Sequence, residues 1–207
     1  IFYTINQLKY CNDIEKIIVA TTVNSEDDII CNYVKSIGID VFRGDPDNVL
    51  DRYYRCASDY SLSSIIRVTA DCPLIDPNIV DKGIDLFVKG KYDYVTNTFP
   101  RSYPDGNETE IFTYKSLNYV WRNAELPSEK EHVTPFYKNN FKRFNSMNFS
   151  NNINLSHLRW TVDYAEDYEL IKAILSRINK RPVSLDDILH LIEIEPGLLK
   201  INEGHKP

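Results

Sequence analysis

Two carboxylates stand at corresponding places in the sequence. Asp71 ends the run IIRVTAD, and Asp163 ends the run HLRWTVD. Each run reads as a buried strand, and in an open α/β sheet ligands bind beyond the carboxyl ends of strands. Two aspartates there would supply the hard oxygen ligands that Mg²⁺ takes together with phosphate and water. The same residues also read as turn formers or helix N-caps, because a helical pattern follows each. Better-placed caps follow both, namely Asp76 before Pro77 and the stretch Ala165-Glu166-Asp167.

Cationic residues accompany them. Arg67 and Arg159 each interrupt an apolar strand pattern, which is costly unless the guanidinium is paired or faces a cavity. Each is either an edge-strand residue or an anion contact turned into a cleft. GDPDNVLDRY adds Arg43, Asp51 and Arg52, as ligand contacts or as solvated helix charges. FPRSYPDGNETE carries Arg101, Tyr103 and Asp105-Gly106, a substrate-recognition loop or a plain Asp-Gly turn. SEKEHVTP holds Glu131 and His132, and a single helical His is more often structural than catalytic. The four His have no H-E-x-x-H spacing, and no G-x-S-x-G, P-loop or G-x-G-x-x-G occurs.

The elements that must position these residues alternate. KIIVATT, DVFRG, SSIIRVTA and YDYVTNT read as strands. Between them, NSEDDIICNYVKSIG, DPDNVLDRYYRCASDY and DPNIVDKGIDLFVKG read as helices. Ser25 is the expected cap of the first, with Ile29, Ile30, Tyr33, Val34 and Ile37 as its apolar stripe. Pro46 is expected near the start of the second, and Asp76-Pro77 to open the third. After Phe99 the pattern predicts a turn-rich loop, a strand and two helices, the second opened by Ser128 with Glu131 three residues on. The strand 157–163 and helices over AEDYELIKAILSRINK and SLDDILHLIEIEPGLL follow. The fold class expected is α/β, a doubly wound, three-layer, mostly parallel sheet in a single domain.

Composition fits an ordinary globular domain, with 207 residues, 43% hydrophobic and 26% charged. The formal net charge of -6 and the lack of a long basic run argue against a nucleic-acid partner. No apolar stretch is long enough to span a membrane. Cys11, Cys31, Cys56 and Cys72 match no zinc spacing and are expected to be reduced thiols of a cytoplasmic protein.

Six segments occur in a familiar order: EKIIVATTVNSEDD, VFRGDPDNVLDRY, IIRVTADCPLIDP, YDYVTNTFPRSYPDGNETEIF, LPSEKEHVTPF and HLRWTVDYAEDYEL. Together they resemble the SpsF-like cytidylyltransferases of spore-coat polysaccharide biosynthesis, relatives of the CMP-KDO and acylneuraminate cytidylyltransferases. The resemblance implies a Rossmann-like nucleotidyltransferase domain, often a homodimer. Its reaction transfers CMP from CTP to a hydroxyl of an acidic sugar or similar acceptor and releases pyrophosphate. It further implies Asp71 and Asp163 as Mg²⁺ ligands, with Arg67 completing the catalytic set. Arg101, Tyr103, Asp105, His132 and Arg159 then fall to the acceptor, and Arg43, Asp51, Arg52 and Asp71 to the nucleotide. Family members begin with a strand and a Gly- and Arg-containing loop over the triphosphate. IFYTINQLKY matches the helix after that loop, so the strand and loop are expected to be missing here and CTP binding to be weakened. The alternative is a binding or assembly module of the same fold that has lost turnover.

Overall fold

Short β-branched runs separated by capped helices build the chain. The structure, a computed structural model, describes residues 1–205. In chain order the first elements are α1 (Phe2–Leu8), β1 (Ile18–Thr22), α2 (Asp28–Ser36), β2 (Asp40–Gly44) and α3 (Val49–Asp59). Next come β3 (Ser64–Arg67), α4 (Pro77–Gly90), β4 (Tyr94–Thr96), β5 (Glu110–Thr113) and α5 (Tyr114–Asn123). The last are α6 (Pro127–His132), α7 (Pro135–Asn139), β6 (Ser146–Asn148), α8 (Ala165–Arg177) and α9 (Leu185–Ile194). No described helix is long and apolar enough to cross a membrane.

The strands form two sheets. β1 and β2 pair in parallel, from Ile18 opposite Asp40 to Thr22 opposite Gly44. The other sheet has the order β3-β5-β4-β6. Its strands β3, β4 and β6 run one way, and β5 lies antiparallel between β3 and β4. Alternation along the strands sends side chains to two helix layers. Val95 and Ile111 join a core with α4, α8 and α9. Tyr94 and Phe112, the next residues in each strand, join a second core with α3, α5 and Tyr137 of α7. A mixed sheet covered on both faces results, which is the α/β class expected.

Local chemistry sets the helix starts. Asp76 caps α4 by accepting from the Asn78 N–H at 2.8 Å, with Pro77 in the first turn. α3 begins later than the Pro46 reading, because Asn48 is its cap and accepts from the Asp51 N–H at 3.0 Å. α6 also departs from expectation. Glu129, not Glu131, folds back to accept from the N–H groups of Glu125 and Leu126, so Ser128 lies inside the helix. Ser25 opens a 3-10 turn ahead of α2 instead of capping it. Within α2 it is Cys31 and Val34 that point inward, while Ile29 is 79% exposed. The four cysteines are free thiols, and burial pushes Cys11 up to about 12 and Cys56 to about 11.

The expected strand over 157–163 is not a regular strand. Its one β-bridge among the described residues, parallel, pairs Asp105 with Arg159, because the adjoining segment is the turn after Pro104 and not another strand. Leu158, Trp160 and Thr161 are buried all the same.

α1 is held by polar groups from two distant segments. Thr4 Oγ1 donates to the Ala70 carbonyl at 3.0 Å, just before Asp71. Gln7, 3% exposed, donates to the carbonyls of Ile75 and Val183 and accepts from the Val183 N–H. Gln7→Ala leaves those buried backbone groups unpaired, at about 1–3 kcal/mol for each group that water does not reach. Urea unfolding should therefore show a loss of more than about 2 kcal/mol; a change within experimental error would mean the amide anchors nothing.

Candidate active site

Asp71 lies four residues beyond β3, where α4 has not yet begun. The turn is tied to the chain end of the 157–163 segment by two hydrogen bonds to the Asp71 carbonyl. The Val162 N–H donates to the Asp71 carbonyl at 3.0 Å, and Thr161 Oγ1 donates to the same oxygen at 3.3 Å. Asp163 follows directly, so the backbone at the two aspartates singled out in the sequence runs close together. The Asp71 carboxylate has no ion pair among the described residues; its side-chain contact is the Cys72 thiol, at 3.5 Å. Asp163 is half exposed and takes one bond from Arg159, through Oδ2. Two carboxylates with open oxygens are a donor set that suits Mg²⁺. Among the described residues no three His, Cys, Asp or Glu side chains converge as a metal site. A metal here would draw the rest of its shell from water or ligand oxygens.

Arg159 is the hub of this region. Its guanidinium reaches Asp105 at 2.9 Å, Asp167 at 3.0 Å and Asp163. Asp167 is fully buried at the first turn of α8 and also accepts from the N–H groups of Asp163 and Tyr164 and from Asn202 Nδ2. Burial works to raise the Asp167 carboxyl, but these donors win and hold it down at about 2.

The 101–108 loop packs against the same segment. Asp105 exchanges backbone bonds with Leu158 and Trp160. Gly106 has φ +99°, and a Cβ there would stand 2.9 Å from the Trp160 carbonyl carbon, so the Asp-Gly turn requires glycine. Arg101 bridges Asp105 at 3.0 Å and Glu108 at 3.1 Å and remains a third exposed. Tyr103 is a core residue, 4% exposed, whose hydroxyl takes a bond from Lys82.

A second polar cluster lies at the head of β5. Glu110 faces Arg67 across the antiparallel pair and Thr96 on its other side, so it sits at the carboxyl ends of both β3 and β4. It is 2% exposed and accepts from Arg67 (2.9 Å), Tyr94 (2.8 Å) and Thr134 (3.0 Å), with Lys138 at 3.2 Å. Burial would raise the Glu110 carboxyl; Lys138 and Arg67 outweigh it, and the shift is downward. Thr134 is placed by Val133, a β-branched residue at φ 69°, a backbone region such residues seldom occupy. His132, just before it, is exposed at the end of α6.

The remaining candidates lie on the β2–α3 side. Arg43 binds Asp28 and the carbonyls of Thr22 and Asn24. Asp51 accepts from Trp121 Nε1 and Arg55. Arg52 packs against Gly44 at the end of β2. The structure thus joins Asp71, Asp163, Arg159, Asp105 and Arg101 in one region and puts Arg67 in the Glu110 cluster. No hydrogen bond or ion pair among the described residues links Arg43, Asp51 or Arg52 to either. Glu108 and Glu110 escaped the sequence reading, and Asp167 entered it as a helix-capping candidate, a role it fills at the start of α8. The signal for Glu110 was present, as a carboxylate inside the apolar strand TEIF; Asp167 stands four residues after Asp163 on the opening turn of a helix.

Glu108 gives this region a pH signature. Burial pushes its carboxyl up to about 7 against the pull of Arg101, with Asp105 adding to the rise. The unfolded chain, with an ordinary value of 4.5, releases that proton first. Between about pH 4.5 and 7 the folded state therefore binds more protons, and stability falls as pH rises. Melting temperatures from pH 4.5 to 8 should decline across that window, and the decline should flatten in Glu108→Gln. An identical pH profile for the variant would show that Glu108 titrates normally.

Comparison with known proteins agrees with this architecture. A family model described as cytidylyltransferase matches residues 1–191. The spore coat polysaccharide biosynthesis protein SpsF of Bacillus subtilis (strain 168) is 31% identical over 193 residues, spanning 90% of this chain and 78% of that one. An uncharacterized protein of Methanocaldococcus jannaschii is 31% identical over 203 residues, spanning 97% of this chain and 82% of that one. The structure of a cytidylyltransferase from Leptospira borgpetersenii superposes with a TM-score of 0.91 at 33% identity, covering 95% of this chain and 84% of that one. A CMP:2-keto-3-deoxy-manno-octonic acid synthetase complexed with CTP superposes at 0.63 with 12% identity, over 86% of this chain and 87% of that one, and shares the fold. With a matching family model over nearly the whole chain and relatives above 30% identity, this protein belongs to the cytidylyltransferase family.

Proposed function

We propose that the chain transfers CMP from CTP to a hydroxyl of an acidic sugar or similar acceptor, releasing pyrophosphate, in the synthesis of a surface polysaccharide or glycan. The observation that supports this reading is the Val162 N–H bond to the Asp71 carbonyl, which brings the backbone at Asp163 close to that at Asp71 beyond β3. In such a transfer the acceptor oxygen attacks the α-phosphorus as the bond to the bridging oxygen of pyrophosphate breaks. Little covalent chemistry falls to the protein; positioning and charge neutralisation dominate. Mg²⁺ held by Asp71 and Asp163 would supply the neutralising charge on the phosphates.

The chain's own residues then divide by their partners. Arg101 is the most exposed of the three arginines Arg67, Arg101 and Arg159, and its loop adjoins Asp163 through Asp105 and Arg159. We assign Arg101 to the acceptor's acidic group. Arg67 and Arg159 are more deeply buried on their carboxylates than Arg101 is on Asp105 and Glu108, so they act by fixing Glu110 and Asp163. Arg52, at the end of β2, is assigned to the nucleotide.

Pyrophosphate release with each of the four NTPs, Mg²⁺ and a panel of sugar acids tests the reading. Release with CTP at least tenfold above the other three is expected, with loss of activity in Asp71→Asn. Equal release from all NTPs would contradict the cytidine assignment. Acceptor binding with no release would favour the binding-module alternative.

A further inference from the structure

Arg159 does more than neutralise charge. Its side chain is only 9% exposed, yet it contributes no ladder contact to a regular strand. Nε and Nη2 grip Asp167 from two sides, at 3.2 and 3.0 Å, a fork that lysine does not reproduce. Asp167 is itself anchored by Asn202 and by the N–H of Asp163, so the guanidinium has one fixed seat. From that seat Nη2 also holds Asp163 Oδ2, while Nη1 holds Asp105 Oδ2 at 2.9 Å. Asp163 is 51% exposed, and no other side chain among the described residues bonds its carboxylate. Without the guanidinium an exposed Asp samples several rotamers. With it, Oδ2 is held and Oδ1 stays open.

We propose that Arg159 is a positioning residue that fixes the rotamer of Asp163 for metal binding and, through Asp105, joins that carboxylate to the 101–108 loop. The proposal rests on the reading of Asp71 and Asp163 as the metal ligands. It places Arg159 outside the ligand shell, in the role of the partners that orient ligating side chains, whose loss costs about 10–100-fold in metal affinity.

A simple charge effect has the opposite sign. Removing a cation beside a metal site strengthens metal binding by Coulomb's law, and exchanging one cation for another leaves it unchanged. Mn²⁺ binding in the presence of CTP, followed by electron paramagnetic resonance, separates the two. Arg159→Gln and Arg159→Lys should each weaken Mn²⁺ binding at least about tenfold, while each retains a cooperative melt. Arg159→Lys keeps the charge and the aliphatic stem, and it decides the question should Arg159→Gln fail to fold. Tighter binding in Arg159→Gln, or wild-type affinity in Arg159→Lys, overturns the proposal. Asp71→Asn distinguishes the two levels of failure. If it binds Mn²⁺ like the wild type, the metal-site reading itself fails; if it loses binding while the Arg159 variants keep it, only the positioning role fails.

Discussion

The bond from the Val162 N–H to the Asp71 carbonyl is the contact on which the candidate site depends. The neighbouring Thr161 bond to the same oxygen spans 90 residues of sequence. Everything between them, including α4 and the strands β4, β5 and β6 of the mixed sheet, must be in place before the chain at Asp163 can lie beside Asp71. Loop-closure entropy rises only slowly with length, so the cost of so long a closure is bearable once local packing supports it. That packing is visible on both sides. Thr4 and Gln7 of α1 brace the turn and the start of α4, and Asp105 with Trp160 braces the incoming segment.

Charge is arranged with similar economy. A net charge of -6 hides two places where cations are buried against several carboxylates or hydroxyls. Glu110 collects Arg67, Lys138, Tyr94 and Thr134; Arg159 collects Asp105, Asp163 and Asp167. A buried charge without such company would carry a desolvation penalty of several kcal/mol. The two clusters differ in what they leave over. The Glu110 cluster saturates its carboxylate but sets two cations against it and leaves Arg67 Nε buried without a partner. The Arg159 cluster sets two cations, Arg159 and Arg101, against Asp105, Asp163, Asp167 and Glu108, so an excess of acidic groups remains near Asp71, where a divalent ion would sit.

Much of the fold was legible in the sequence, because its signals are local. The Asp76-Pro77 start of α4, the apolar runs of β1 and β3 and the helical repeat of α8 each depend on a few adjacent residues. The two aspartates were legible for the same reason, as matching ends of two apolar runs. What escaped was non-local. Arg67 and Arg159 stood out as misfits in apolar runs, but their partners are set by the register of β5 and by the Asp105 turn, which no spacing along the chain reveals. Ser128 and Glu131 have capping-box spacing, but Pro127 in the first turn and Glu129 reaching back to Leu126 set the start of α6 two residues earlier. The 157–163 segment has strand composition and burial, yet its neighbour is a turn, so no ladder forms.

The central claim is that Asp71 and Asp163 form one metal-dependent nucleotide site. The most direct test is the rise in melting temperature produced by CTP with Mg²⁺ in the wild type, Asp71→Asn, Asp163→Asn and the double variant. Groups that act on one ion are strongly non-additive. One shared site requires that either single substitution abolish the Mg²⁺-dependent rise and that the double variant lose nothing more. A full rise in either single variant, or losses that simply add, would contradict it.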